Sequence, residues 1–192
     1  MSEPQTLSDL LAALAAVLDG RALPWYVFGA QAAVVWGQPT LTAHVDVTVL
    51  VPDGDLAALL ADLSHAGFVL RVEDWENFVR RTRVLPLTHV GSLLPVDLVL
   101  AGPGLEEVFI QRARRVDLGS ATVPFISPED LIVTKILAGR PKDIEDVRSV
   151  LHAQAGQLDL AWIRQALGML EDALGQSDLL PRLERELARI GE

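Results

Sequence analysis

Over residues 44–49 the chain alternates strictly between polar and apolar positions: His-Val-Asp-Val-Thr-Val. A strand here puts Val45, Val47 and Val49 on one face and His44, Asp46 and Thr48 on the other; the run is expected to extend to residue 51. Upstream, the apolar run at 25–28 predicts a short strand ending in a turn at Gly29-Ala30-Gln31. The Ala/Val-rich residues 30–36 are compatible with helix or strand, and the flanking Gly29 and Gly37 favour a short helix. Residues 38–42, with Pro39, predict a loop.

Helical spacing of Leu10, Leu11, Leu14 and Leu18 predicts a first helix over residues 8–18, capped by Ser8 and ended by Gly20. After the alternating strand, Asp53 is placed to cap a helix over 55–66 that Gly67 stops. A strand follows at 68–72. Residues 74–82 are polar and aromatic and are assigned neither helix nor strand. The β runs at 84–90 and 95–100, joined by the turn at Gly91-Ser92, predict an antiparallel pair with Asp97 in its second strand. The glycines at 102 and 104 break the chain before a helix reaching Arg114, and residues 116–118 and 123–126 flank Gly119-Ser120 as a hairpin. Ser127-Pro128-Glu129-Asp130 is a helix start with a capping hydroxyl, proline in the first turn and acids beside it. That helix should run to Ala138, break at Gly139-Arg140-Pro141 and be followed by helices at 142–155, 160–174 and 178–190. Strands and helices are mixed early and only helices occur late. The expected class is α+β: a mixed β-sheet flanked by helices over residues 1–126, with a C-terminal helical region, 127–192, packed on that core.

Composition narrows the function classes. Half of the 192 residues are hydrophobic, which fits a packed core and not a disordered chain. No cysteine is present, so thiolate metal sites and disulfides are excluded, and a reducing cytoplasm is the expected compartment. Residues 1–6 are polar and show no secretory signal, and no apolar stretch approaches the roughly 20 residues that cross a bilayer. The net charge of −10 opposes general binding to phosphate backbones.

A few residues carry candidate chemistry. A glycine turn opening a helix can hold phosphate, although Gly29 is also compatible with an ordinary strand–helix turn. Asp46 and Asp97 are acids inside valine- and leucine-rich strands; such an acid needs a metal, a base or solvent. His44 either lines the site or is an inert strand histidine. Lys135, within Leu-Ile-Val-Thr-Lys-Ile-Leu, either reaches the surface or directs its charge at phosphate or an acid. Asp143 and Asp146 are one turn apart, placed to pair with Lys135 or Lys142 or to face solvent. The arginines at 80, 81 and 83 and at 112, 114 and 115 fit a solvated or ion-paired surface better than an RNA contact. His65, His89 and His152 show no metal spacing, and no nucleophile elbow, HExxH motif or P-loop is present.

Taken together, Gly-Ala-Gln-Ala at 29–32, Gly37, Val-Asp-Val-Thr-Val at 45–49 and Val-Asp-Leu at 96–98 resemble the nucleotidyltransferase fold. The segment ISPEDLIVTKILAGRPKDIEDVRSVL, residues 126–151, is similar to the C-terminal motif of AbiEii-type nucleotidyltransferases, toxins of type IV toxin–antitoxin and abortive-infection systems. The resemblance implies an enzyme that binds a nucleoside triphosphate with Mg²⁺ or Mn²⁺ and transfers a nucleotidyl group to an RNA or protein acceptor, with a cognate antitoxin as partner. It implies metal ligation by His44, Asp46 and Asp97, and catalytic roles for Asp46, Asp97 and Lys135. Nucleotide binding would fall to Gly29, Ala30, Gln31, Lys135, Lys142 and Asp143. The chain departs from the family pattern at His44, where aspartate is usual, near Gln38 and Thr40, where arginine is usual, and at Ala30, where glycine or serine is common. Imidazole suits transition ions better than Mg²⁺. An alternative is therefore a catalytically impaired, nucleotidyltransferase-like binding or regulatory protein acting through a partner.

Overall fold

The computed structural model describes residues 5–38 and 44–190. The expected loop at 38–42 lies outside the described residues from Pro39 onward. The elements are α1 (Leu7–Gly20), β1 (Trp25–Phe28), α2 (Gly29–Trp36), β2 (Val45–Val49), α3 (Leu56–His65), β3 (Phe68–Leu70), α4 (Trp75–Thr82), β4 (Val84–His89), β5 (Pro95–Leu100), α5 (Leu105–Arg112), β6 (Arg114–Asp117), β7 (Thr122–Phe125), α6 (Pro128–Ala138), α7 (Pro141–Ala153), α8 (Leu160–Leu174) and α9 (Leu179–Ile190). The class is α+β, with a mixed seven-stranded sheet in the order β3-β4-β5-β2-β1-β7-β6 flanked by helices.

The chain divides into two compact units: Met1–Gln31 with Thr42–Ile126, and Ala32–Leu41 with Ser127–Glu192. All seven strands lie in the first unit. β2 pairs antiparallel with β1 and parallel with β5, while β4 and β5 form the expected antiparallel pair. Val45, Val47 and Val49 are fully buried, as the alternation requires of one face. Thr48 is buried too, so the polar face is covered toward the end of β2 and stays open at Asp46. Leu10, Leu14 and Leu18 of α1 are buried, and the helix packs on β7 and α3.

The second unit is helical. α6 is buried along most of its length and packs against α7, α8 and α9. Ser127 caps α6 as expected, its Oγ accepting from the Asp130 amide at 3.1 Å, with Pro128 in the first turn. Trp162 Nε1 donates to Asp130 Oδ1 at 2.6 Å, tying α8 to the start of α6.

Some local expectations need correction. Thr6, not Ser8, caps α1, because Asp9 three residues on returns a 2.7 Å bond to the Thr6 amide and closes a capping box. The N-cap of α3 is Asp55 rather than Asp53. Residues 74–82 form a helix, with Asp74 accepting from the Asn77 amide at its start. The helix expected to reach Arg114 stops at Arg112, because Arg114 already pairs with Phe125 in the edge hairpin.

Candidate functional site

The site is built on a lateral row of the sheet. The pairing register aligns Phe28 of β1 with Asp46 of β2, Asp46 with Asp97 of β5, and Asp97 with Pro86 of β4. Leu70 pairs with Leu87, so Arg71, just past β3, falls level with Pro86, and its amide donates to the Pro86 carbonyl at 3.0 Å. Laterally aligned residues of a sheet point to the same face. Asp46, Asp97 and Arg71 therefore share one face, with the short Pro86 ring between Arg71 and Asp97.

Side-chain geometry follows from this row. His44 precedes β2, and its Nε2 lies 3.2 Å from Asp46 Oδ1 and 3.1 Å from Asp97 Oδ2. The three groups are each partly exposed, so ligand can reach them. Among the described residues they form the one group of three potential ligands whose donor atoms lie within 4.8 Å of one another. The other oxygen of Asp97, Oδ1, accepts a close hydrogen bond from Arg71 Nη2, while Arg71 Nε donates to the Leu87 carbonyl at 3.0 Å. Arg71 was not singled out from the sequence. Its signal is the register through Pro86, which no local motif carries.

The glycine turn meets the acids directly. Gly29 follows Phe28, the partner of Asp46, and has φ +67. A Cβ at Gly29 would sit 2.2 Å from Asp46 Oδ2, so only glycine leaves room for this carboxylate. Ala30 is the next residue of α2, whose first-turn amides have no partners within the helix. Gln31 is buried, and its Nε2 donates to the His44 carbonyl at 3.3 Å. It thus anchors the backbone that presents the imidazole.

The donor set fits a divalent ion. Two carboxylates and an imidazole are ordinary ligands, and separations of 3.1–3.2 Å are those of neighbouring positions around an ion bound at about 2.2 Å.

The remaining expected site residues belong to the second unit and make their own cluster. Lys135 is buried, and its Nζ donates to Asp143 Oδ1 at 3.0 Å and Asp146 Oδ2 at 2.6 Å. Arg140 Nε donates to Asp143 Oδ2 at 2.6 Å. Burial alone would raise the Asp143 carboxyl, but the bonds from Arg140 and Lys135 outweigh it and hold the group below its ordinary value. Lys142 is exposed. The arginine runs are paired in part: Arg80 with Asn77, and Arg115 with Asp19.

No helix among the described residues is long and apolar enough to cross a membrane. Comparison with solved structures finds the same fold in the antibiotic-resistance factor ANT(2'')-Ia in complex with adenylyl-2''-tobramycin, at 15% identity over 88% of this chain and 99% of the other, with a TM-score of 0.58. An antigenic nucleotidyltransferase-like protein from Paracoccidioides brasiliensis matches at 19% identity over 93% of this chain and 92% of its own, with a TM-score of 0.58. The lincosamide antibiotic adenylyltransferase LnuA, lincomycin-bound, matches at 12% identity over 77% of this chain and 99% of its own, with a TM-score of 0.51. Likeness at such identities is likeness of fold. Among curated proteins, none matches the chain. A family model described as "Nucleotidyltransferase of unknown function (DUF6036)" matches residues 5–168, and the chain belongs to that family.

Proposed function

We propose that this protein transfers a nucleotidyl group from a nucleoside triphosphate, bound with a divalent ion, to a hydroxyl of an RNA or protein acceptor, as an AbiEii-like toxin of the cytoplasm held in check by a cognate antitoxin. The observation that carries the chemistry is the pairing of Asp46 with Asp97 on adjacent strands, with His44 Nε2 at 3.2 and 3.1 Å and the Gly29 turn beside them. In this reading His44, Asp46 and Asp97 hold the ion. When bound, the ion polarises the α-phosphate and eases loss of the acceptor's proton. Amides at Gly29 and Ala30 orient the triphosphate at the start of α2. Asp97 accepts the hydroxyl proton as the acceptor oxygen bonds to the α-phosphorus and the bond to pyrophosphate breaks. Lys135 and Asp143 are assigned a structural role, because the ammonium already carries two carboxylates.

The test is incubation with α-labelled nucleoside triphosphates, Mg²⁺ or Mn²⁺, and a panel of RNA, protein and small hydroxyl acceptors, the last because solved neighbours carry adenylyl-2''-tobramycin or lincomycin. A labelled acceptor, lost in Asp46→Ala, is expected. Absence of both labelling and a nucleotide-dependent thermal shift refutes the proposal.

A second reading has its own observation: an imidazole lies on both carboxylates and a guanidinium on one of them, Asp97. The protein is then an impaired relative that acts by binding a partner. Transferase activity gained in His44→Asp, with none in the natural chain, selects this reading.

A further inference from the structure

We infer that the site takes a single transition-type divalent ion, of which Mn²⁺ is the probe, in preference to Mg²⁺, and that Arg71 occupies the position from which a second ion would be shared. The inference rests on the proposed metal role of His44, Asp46 and Asp97 and adds number and identity to it.

Identity follows from the donor atoms. Mg²⁺ is a hard ion that favours oxygen and keeps its water, whereas imidazole nitrogen suits ions further along the first transition row. His44 Nε2 stands between Asp46 Oδ1 and Asp97 Oδ2, so an ion taking both oxygens also meets the nitrogen. The imidazole meets both carboxylates, and the buried Gln31 amide donates to the His44 backbone carbonyl at 3.3 Å.

Number follows from Arg71. Two ions held as a pair about 3.5–4 Å apart need groups that touch both. Asp97 directs Oδ2 toward His44, but its Oδ1 is bound by Arg71 Nη2. Arg71 is itself fixed, through its amide to the Pro86 carbonyl and its Nε to the Leu87 carbonyl, each at 3.0 Å. A guanidinium in this place repels a cation and holds the lone pairs a second one would use. On the Asp46 side, Oδ2 packs against Gly29 so closely that only a residue without a Cβ fits there.

The experiment is a titration of the nucleotide-free full chain with Mn²⁺, reading free ion by electron paramagnetic resonance, followed by displacement with Mg²⁺. Saturation at one Mn²⁺ per chain is expected, with half-displacement requiring on the order of a hundredfold excess of Mg²⁺. His44→Asp should lower that excess by about tenfold or more, and Arg71→Gln should admit a second equivalent of Mn²⁺. His44→Gln, read beside a thermal melt of each variant, separates loss of the ligand from loss of the fold. Two equivalents bound by the natural chain, displacement by Mg²⁺ near parity, or no Mn²⁺ bound at all overturns the inference. If Mn²⁺ fails to bind but labelling of an acceptor persists, the proposed transfer stands and only this inference falls.

Discussion

Replacing Gly29 with alanine tests the link between the turn and the acids. The substitution has two separable effects. Gly29 has φ +67, and a residue with a Cβ in the left-handed region costs roughly 1–2 kcal/mol. For a chain of this size that corresponds to about 2–8 °C in Tm. The second effect is local. The new Cβ would stand 2.2 Å from Asp46 Oδ2. Ordinary contact requires the carboxylate to retreat by about 1 Å, a displacement able to reduce a positioned reaction about a hundredfold. Gly67→Ala is the control, because Gly67 has φ +88 and open space around its Cβ position. The two variants should melt within a few degrees of each other. Gly29→Ala alone should lose Mn²⁺ affinity and any labelling activity. If Gly29→Ala binds Mn²⁺ as tightly as Gly67→Ala, the turn does not set the position of Asp46 and the account of the site is wrong.

Other consequences are accessible to stability measurements. Lys135→Met strips the buried Asp143 and Asp146 of their shared partner and should cost about 3–5 kcal/mol in urea denaturation, far more than Lys142→Met at an exposed position. Burial holds the His89 imidazole below its ordinary value, against the pull of Asp9. The folded state therefore binds fewer protons there than the unfolded chain, so this stability is present above about pH 6.5 and lost as pH falls through the lower folded value. The carboxyls of Asp143 and Glu186 are also depressed, burial being outweighed at Asp143 by Arg140 and Lys135, and Arg148 acting first at Glu186. Their stability is present above the ordinary carboxylate range and lost as pH falls through the depressed values. Melts should therefore weaken in two stages on acidification, and His89→Gln should flatten only the upper one.

Elements whose local chemistry repeats their tertiary role were legible from the sequence. The alternation over 45–49 declares a strand because one of its faces is fully buried in the sheet. Ser127-Pro128 declares a helix start because cap, proline and acids all act within one turn. Residues 74–82 lacked such agreement. α4 does carry helical spacing at Trp75, Phe78 and Val79, but over only eight residues, and the helix closes on Arg83 at φ 59 rather than on a glycine that would mark its end. β6 was misread at its start for a related reason: it is an exposed edge strand in which Arg114 and Arg115 need no apolar alternation.

The site divides along the same line. Asp46 and Asp97 stand out because each is a lone acid in an apolar strand, and the parallel register then brings them side by side. Like charges placed opposite each other across a ladder repel. The fold tolerates this pair because Arg71 reaches Asp97 from one side and His44 stands against both carboxylates from the other. Arg71 is 25 residues from Asp46 in the sequence, and its role depends on two intervening strands and on a proline small enough to be crossed. No window of sequence contains that arrangement. The same requirement gives the row its chemical character: two neighbouring carboxylates on a mixed sheet call for nearby positive charge, Arg71 brings part of it to Asp97, and a divalent cation held by His44, Asp46 and Asp97, as proposed above, would bring the rest.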